Sequence, residues 1–108
     1  MTLAALLDEL KEVDGDLWQE ISDRTFSMYD DVMINAIVQG CIQRAIERRV
    51  DYRVEKGHET WGMILEMGRD GPEAWIWGSN GVERSGYGDS PAEALLAAYI
   101  AAAKGEKQ

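Results

Sequence analysis

The sequence predicts an α+β domain in which helices pack on a three-stranded antiparallel meander, in the order α-α-α-β-β-β-α. Apolar residues recur at helical spacing before residue 50 and after residue 90. Between these regions apolar residues alternate with other residues, and two clusters of turn-forming residues divide the alternating segment into consecutive hairpins. Apolar side chains fall on both faces of the predicted sheet, so a helix–sheet–helix sandwich is expected.

The chain has 108 residues, of which 45% are hydrophobic and 29% charged, as in ordinary globular domains. We expect one domain over 1–108, divided into an acidic N-terminal helical segment (1–29) and an αβββα core (30–105). No signal peptide or membrane span is expected, because the first residues lack a basic region and no apolar run reaches about 18 residues. A single cysteine excludes an internal disulfide, and a cytoplasmic location is expected.

Two short amphipathic helices are expected first. Thr2 is suited to the N-cap of the first and Gly15 to its end. Asp16 is expected to cap the second helix, and Phe26 to fill the core from the loop that follows. The inward positions of the two helices are Leu3, Leu6, Leu7, Leu10, Val13, Leu17, Trp18 and Ile21.

The longest helix is predicted from about Asp30 to Arg49. Its acidic start and basic end match the helix dipole. Gly40 is expected to mark close packing against another backbone, and Cys41 to be an inert apolar side chain. The inward face is expected to carry Ile34, Ile37, Val38, Cys41, Ile42, Ala45 and Ile46.

Strand signals begin at Tyr52 and Val54, with a turn at 57–58. Alternating segments at 61–67 and around Trp75 and Trp77 are separated by the turn residues 68–72, and a second turn at 79–81 precedes a short extended edge at 82–87. One face of the sheet is expected to carry Trp61, Met63, Leu65, Trp75 and Trp77, and the other Ile64, Ala74 and Ile76. The alternative is that the tryptophan face stays partly open as a dimer or target interface.

The last helix has recognisable signals at both ends. Ser90 is suited to the N-cap, Pro91 to the first helical position, and Glu93 to a capping box. Lys104 suits the last turn and Gly105 the C′ position. An apolar stripe consists of Leu95, Leu96, Tyr99, Ile100 and Ala103.

The sequence predicts no catalytic residue, cofactor site or metal site. His58 has no cysteine or histidine partner at metal-ligand spacing, and the chain lacks phosphate-loop and dinucleotide-binding motifs. The paired aspartates lack the ligand spacing of a calcium loop. An enzyme that uses Ser90 or Cys41 as nucleophile is a minor alternative, because Ser90 is better used as a helix cap.

From residue 30 the helix–strand–strand–strand–helix order is similar to that of double-stranded-RNA-binding domains. Where that family has phosphate-gripping lysines, this chain has Pro91, Ala92 and Glu93, so direct nucleic-acid binding is not expected. The run from Gly88 to Ala94 resembles the turn and helix start of HicB-like antitoxins, which mask a small toxin. That family's DNA-binding extension has no recognisable counterpart after this helix.

The long helix, the aromatic strand 61–67 and the ending from Gly88 to Ala98 resemble the small phage-encoded alpha–beta–alpha sandwich proteins of NinX type. The resemblance covers about residues 30–103. It implies an accessory protein of a phage or prophage, a class with no catalytic residues to carry over.

The net charge of −9 favours a protein partner over nucleic acid or membrane. The leading hypothesis is a non-enzymatic phage or mobile-element accessory protein that binds and inhibits a host defence or nucleic-acid-handling protein through an acidic surface. The alternatives are a HicB-like antitoxin module and a dimeric structural protein. The residues expected to contact the partner are Glu9, Glu12, Asp16, Glu20, Trp61, Trp75 and Trp77.

Overall fold

The computed structural model describes residues 2–49, 61–78 and 83–106. These residues form α1 (Leu3–Val13), α2 (Gly15–Thr25), α3 (Asp31–Arg49), β1 (Gly62–Gly68), β2 (Gly71–Trp77), β3 (Glu83–Tyr87) and α4 (Pro91–Glu106). The α+β class and the order of elements are therefore confirmed. The strand signal at 52–54 and the turns at 57–58 and 79–81 lie outside the described residues.

One aspartate joins the first two helices. Thr2 caps α1 as predicted, since its Oγ1 accepts a hydrogen bond from the Ala5 amide at 3.2 Å. The Asp14 amide closes α1 on the Leu10 carbonyl at 2.7 Å, and the Asp14 carboxylate caps α2 by accepting from the Leu17 amide at 3.1 Å. The prediction that Asp16 caps α2 is wrong, because the carboxylate two residues earlier already occupies that role.

The helix α3 begins after Asp30, whose carboxylate accepts from the amides of Val32 and Met33. Gly40 does not mark close packing within the described residues, because a Cβ there would meet only the Arg44 guanidinium, at 3.5 Å. The inward face of the helix is buried at Val38, Cys41, Ile42, Ala45 and Ile46.

Phe26 does not fill the core, because 82% of its surface is exposed. Leu17 and Ile21 form the buried side of α2. Phe26 follows Leu17 by nine residues, which at about 100° per residue places it half a turn round the helix, on the solvent side.

The three strands form an antiparallel meander in the order β1-β2-β3. Gly68 pairs with Gly71, so only Arg69 and Asp70 connect β1 to β2. Gly71 has a φ of 111°, a left-handed conformation that favours glycine at the end of this tight turn.

The helix α4 starts as predicted, with Ser90 Oγ accepting from the Glu93 amide at 3.2 Å. The Glu93 carboxylate reaches back one residue further than in a standard capping box and accepts from the Asp89 amide at 3.0 Å. The helix continues through Gly105 to Glu106, so the prediction that Gly105 ends it is wrong. A Cβ at Gly105 would meet the Arg84 guanidinium of β3 at 3.3 Å.

The central element of the fold is α4. It packs on β2 and β3 with one side and on α1 and α3 with the other, while α2 packs on α1 and α3. Because α4 is apolar on nearly all sides, it occupies the position between the sheet and the other helices. The predicted sandwich places the N-terminal helices on the second face of the sheet, whereas in the described residues neither α1 nor α2 contacts a strand. Among the described helices none is both long and apolar enough to cross a membrane.

Candidate functional site

The strand register decides which side chains share a face of the sheet. Ala74 and Ile76 are fully buried against α4, and Met63 and Leu65 pair with them and pack on the same core. The positions between these residues face away from α4. We call this surface the open face; apart from the turn glycines Gly68 and Gly71, its nine positions are Gly62, Ile64, Glu66, Glu73, Trp75, Trp77, Glu83, Ser85 and Tyr87.

The predicted composition of the tryptophan face is wrong. Trp75 and Trp77 lie on one face of the sheet, and Met63 and Leu65 lie on the other. The two-residue turn at 69–70 pairs Ile64 with Trp75. Directly paired residues of antiparallel strands point to the same face. Every even-numbered residue of β1 therefore shares a face with the odd-numbered residues of β2. One residue more or fewer in the turn would have reversed this assignment.

Apolar side chains occupy the centre of the open face. The exposed fraction of the side chain is 47% for Ile64 and 67% for Tyr87, and Trp75 and Trp77 are half-buried. The indole of Trp77 lies over Gly62, where a Cβ would come within 2.5 Å of the ring atom Cε2. Among the described helices, α4 packs on the opposite face, α1 and α2 contact no strand, and α3 contacts only β1.

The charges of the open face all have one sign. Glu66, Glu73 and Glu83 lie among its nine positions, and none of the nine is basic. A hydrogen bond to the Glu73 carboxylate raises the pKa of the Tyr87 hydroxyl, and the negative charge of Glu73 adds to this effect. The open face therefore combines an aromatic centre with carboxylates.

Trp61, the third tryptophan expected to contact a partner, is not on the open face. It is only 5% exposed, and its ring lies 5.7 Å from that of the fully buried Tyr99, measured between ring centroids. Trp61 precedes β1 and belongs to the core, so it is not available to a partner in this fold.

The acidic residues predicted on α1 and α2 fall into two groups. Glu9 pairs with Lys104, and Glu20 pairs with Arg48 at 3.0 Å and with Arg24 at 3.6 Å. Their charges are therefore partly neutralised within the chain. Glu12 and Asp16, by contrast, are exposed and form no ion pair with another described residue.

A small cleft of about 210 Å³ lies where α1 and α2 meet α3 and α4. Its lining includes Asp14, Asp16, Glu20, Arg48 and Tyr99. The Tyr99 hydroxyl donates to the Asp14 carboxylate at 2.6 Å. Glu20 is engaged by Arg48, so the polar groups of the cleft are largely committed to holding the helices together.

The two nucleophiles considered from the sequence, Ser90 and Cys41, both have structural roles in the fold. Ser90 Oγ donates to Asn35 Oδ1 at 2.7 Å besides capping α4. Cys41 is fully buried, and this burial raises the pKa of its thiol, with a smaller contribution from the charge of Glu20. Within the described residues no three His, Cys, Asp or Glu side chains are grouped so as to hold a metal ion.

A second exposed apolar surface was not predicted. It lies where α2 meets α3, and we call it the α2–α3 corner; its residues are Phe26, Tyr29, Val32 and Met33, which are 82%, 93%, 79% and 54% exposed. A signal was present in the sequence, because the first half of α3 carries apolar residues on its outer side as well as its inner side.

Comparison with known proteins gives no relative from which a role can be transferred: no protein-family model, curated protein or solved structure matches this chain. The fold and the surface together define an α+β domain with an open aromatic and acidic sheet face. Any functional conclusion depends on the chemistry of these residues.

Proposed function

We propose that this protein acts without catalysis, by binding a basic and partly apolar protein surface on the open face of its sheet. The observation that carries the proposal is the composition of that face. Three glutamates and no basic residue accompany Ile64, Trp75, Trp77 and Tyr87.

The apolar centre supplies the driving force for association. Tryptophan and tyrosine are enriched at the centres of protein interfaces, where they bury large areas with little loss of conformational freedom. A sheet that is apolar on both faces is usually covered on both, and the described helices cover only one. A partner that covers Ile64 and Trp75 would complete this packing.

The carboxylates determine the chemistry of the partner. Arginine or lysine side chains can pair with Glu66, Glu73 and Glu83 and can also stack on indole rings. Such side chains are abundant on surfaces that bind nucleic-acid phosphates. Occupation of such a surface would exclude its nucleic acid, which gives the binding an inhibitory effect.

The biological setting of the proposal is a phage or mobile element, whose accessory protein acts on a host defence or nucleic-acid-handling protein in the cytoplasm. The support is the net charge of −9 and the resemblance of residues 30–103 to phage-encoded alpha–beta–alpha sandwich proteins. A neighbouring toxin gene and a co-purifying toxin would instead favour the antitoxin alternative.

The test compares two triple charge reversals with the same total change. Glu66→Lys, Glu73→Lys and Glu83→Lys alter the open face, whereas Glu12→Lys, Asp16→Lys and Asp23→Lys alter exposed positions on α1 and α2. Each protein is used to capture candidate host proteins from lysate. A partner retained by wild type and by the helix variant, but lost by the open-face variant, supports the proposal. Loss only in the helix variant would move the binding site to the acidic helices.

The chain's own tryptophans then report where the identified partner binds. With fluorotryptophan labelling, binding should shift the NMR signals of Trp75 and Trp77 and leave that of the buried Trp61 nearly unchanged. Binding should also weaken between about 0.1 M and 1 M salt, because the Debye length falls from about 10 Å to about 3 Å. Binding that ignores salt and leaves Trp75 unshifted would refute the proposed surface.

A further inference from the structure

The α2–α3 corner exposes about as much apolar surface as the largest patch of a typical monomer, and such patches are often interaction sites. Phe26 and Tyr29 are 82% and 93% exposed. At roughly 200 Å² for each aromatic side chain, these two rings alone expose about 350 Å². The largest apolar patch on a typical monomer is about 300–600 Å², and Val32 and Met33 add further area. The corner therefore has the size of an interaction surface.

The corner continues along the outer side of α3. Val32, Ala36, Gly40 and Arg44 follow each other at intervals of four residues, so they form one stripe along the helix. The stripe borders a groove of about 460 Å³ lined by Arg24, Met28, Ala36, Ile37, Gly40 and Arg44. Because Ala36 and Gly40 are small, another helix can approach α3 closely at this point.

The charges along this surface are separated. Asp30 caps the N-terminal end of α3, whereas Arg44 lies toward the C-terminal end of this helix and borders the groove. An antiparallel second α3 would bring the acidic end of each copy to the basic end of the other, and the helix dipoles would also be opposed favourably. A two-fold axis that places Ala36 of one copy opposite Gly40 of the other also places Val32 of one copy opposite Arg44 of the other.

We infer that a second copy of this chain occupies the surface, in a dimer formed by antiparallel α3 helices. The interface is isologous, so the same patch must be complementary to itself. The small residues Ala36 and Gly40 meet at its centre, and the acidic end with its exposed rings meets the basic end of the other copy. The exposed rings of two copies supply roughly 700 Å², against a lower limit of about 1,200 Å² in total for specific interfaces. The dimer is therefore a weak one, below the standard interface size.

This dimer shares no residue with the open face, so it does not depend on the proposed function.

The test uses three variants that each introduce one glutamate. Ala36→Glu lies at the centre of the proposed interface, Ala4→Glu at an exposed position of α1, and Ile64→Glu on the open face. Circular dichroism and urea unfolding establish that each variant is folded. Sedimentation equilibrium from about 1 µM to 1 mM then measures the dimer dissociation constant.

We expect wild type, Ala4→Glu and Ile64→Glu to have similar dimer dissociation constants. For Ala36→Glu the dissociation constant should be at least tenfold higher. A wild-type protein that stays monomeric at millimolar concentration would overturn the inference. So would an Ala36→Glu variant with an unchanged dissociation constant, or a loss of dimer confined to Ile64→Glu, which would assign the interface to the open face.

Discussion

Replacement of Gly86 by alanine tests the contact on which the layering of the fold depends. Gly86 lies in β3 and is buried against α4. A Cβ there would come within 2.5 Å of the Ala94 carbonyl oxygen and 2.9 Å of the Ala97 Cβ, and would also collide with the Ala98 amide nitrogen. Two of these three atoms belong to the helix backbone, so no side-chain rotation can relieve the overlap.

Overpacking of a buried site typically costs about 1–3 kcal/mol, and the rigid backbone atoms place Gly86→Ala near about 3 kcal/mol. With a urea m-value of about 1.5 kcal/mol/M, the unfolding midpoint should fall by about 2 M. The assay is urea unfolding followed by tryptophan fluorescence.

Gly15→Ala is the matched control, because no atom lies within 4 Å of the added Cβ at the start of α2. It should leave the unfolding free energy unchanged or raise it by up to about 1 kcal/mol. Adding Ala97→Gly to Gly86→Ala should not recover the loss, since the backbone atoms remain and glycine inside α4 costs about 1 kcal/mol of its own. A Gly86→Ala protein within about 0.5 kcal/mol of wild type would show that β3 does not lie directly on α4.

Two further predictions concern single carboxylates. Asp14→Ala should cost about 2–4 kcal/mol in urea unfolding, because it removes the cap of α2 and leaves the buried Tyr99 hydroxyl without the Asp14 carboxylate. The exposed Asp16→Ala should cost less than about 1 kcal/mol, and equal losses would refute the assignment of the cap. Glu73→Gln should lower the pKa of Tyr87 toward its ordinary value, because an amide oxygen accepts a weaker hydrogen bond than a carboxylate and the negative charge is lost as well. Tyrosine-ring NMR titration would measure this, with Glu83→Gln as the control; a Tyr87 pKa that stays raised would contradict the pairing of Glu73 with Tyr87.

Features that depend on neighbouring residues were predicted well from the sequence. Thr2 and Ser90 cap their helices because a hydroxyl oxygen needs only an amide two or three residues away. The hairpin at 68–71 follows from glycine at both ends of a short turn. The acidic cap of α2 was misplaced by two residues, since Asp14 and Asp16 are equally suited by type and only the end of α1 decides between them.

The candidate site could be predicted only in part. Trp75 and Trp77 were expected on a face covered by helices, with a partly open face as the alternative, and the described helices leave their face uncovered. Trp61 was assigned to the same face because it alternates with its neighbours, but its contact with Tyr99 is a long-range one that alternation does not reveal. Phe26 and Tyr29 were missed because an apolar residue in a loop is by default expected to be inside.

The sequence by itself determined the class of the fold, the order of its elements and most helix ends, because these depend on periodicity and on hydrogen bonds between near neighbours. Only the tertiary structure decided which side chains share a face of the sheet and which of them are exposed. The two-residue turn at 69–70 assigns Trp75 and Trp77 to the open face, and α4, apolar nearly all round, separates the sheet from the N-terminal helices. Both outcomes depend on contacts between segments distant in the chain, where a shift of one residue exchanges a buried face for an exposed one.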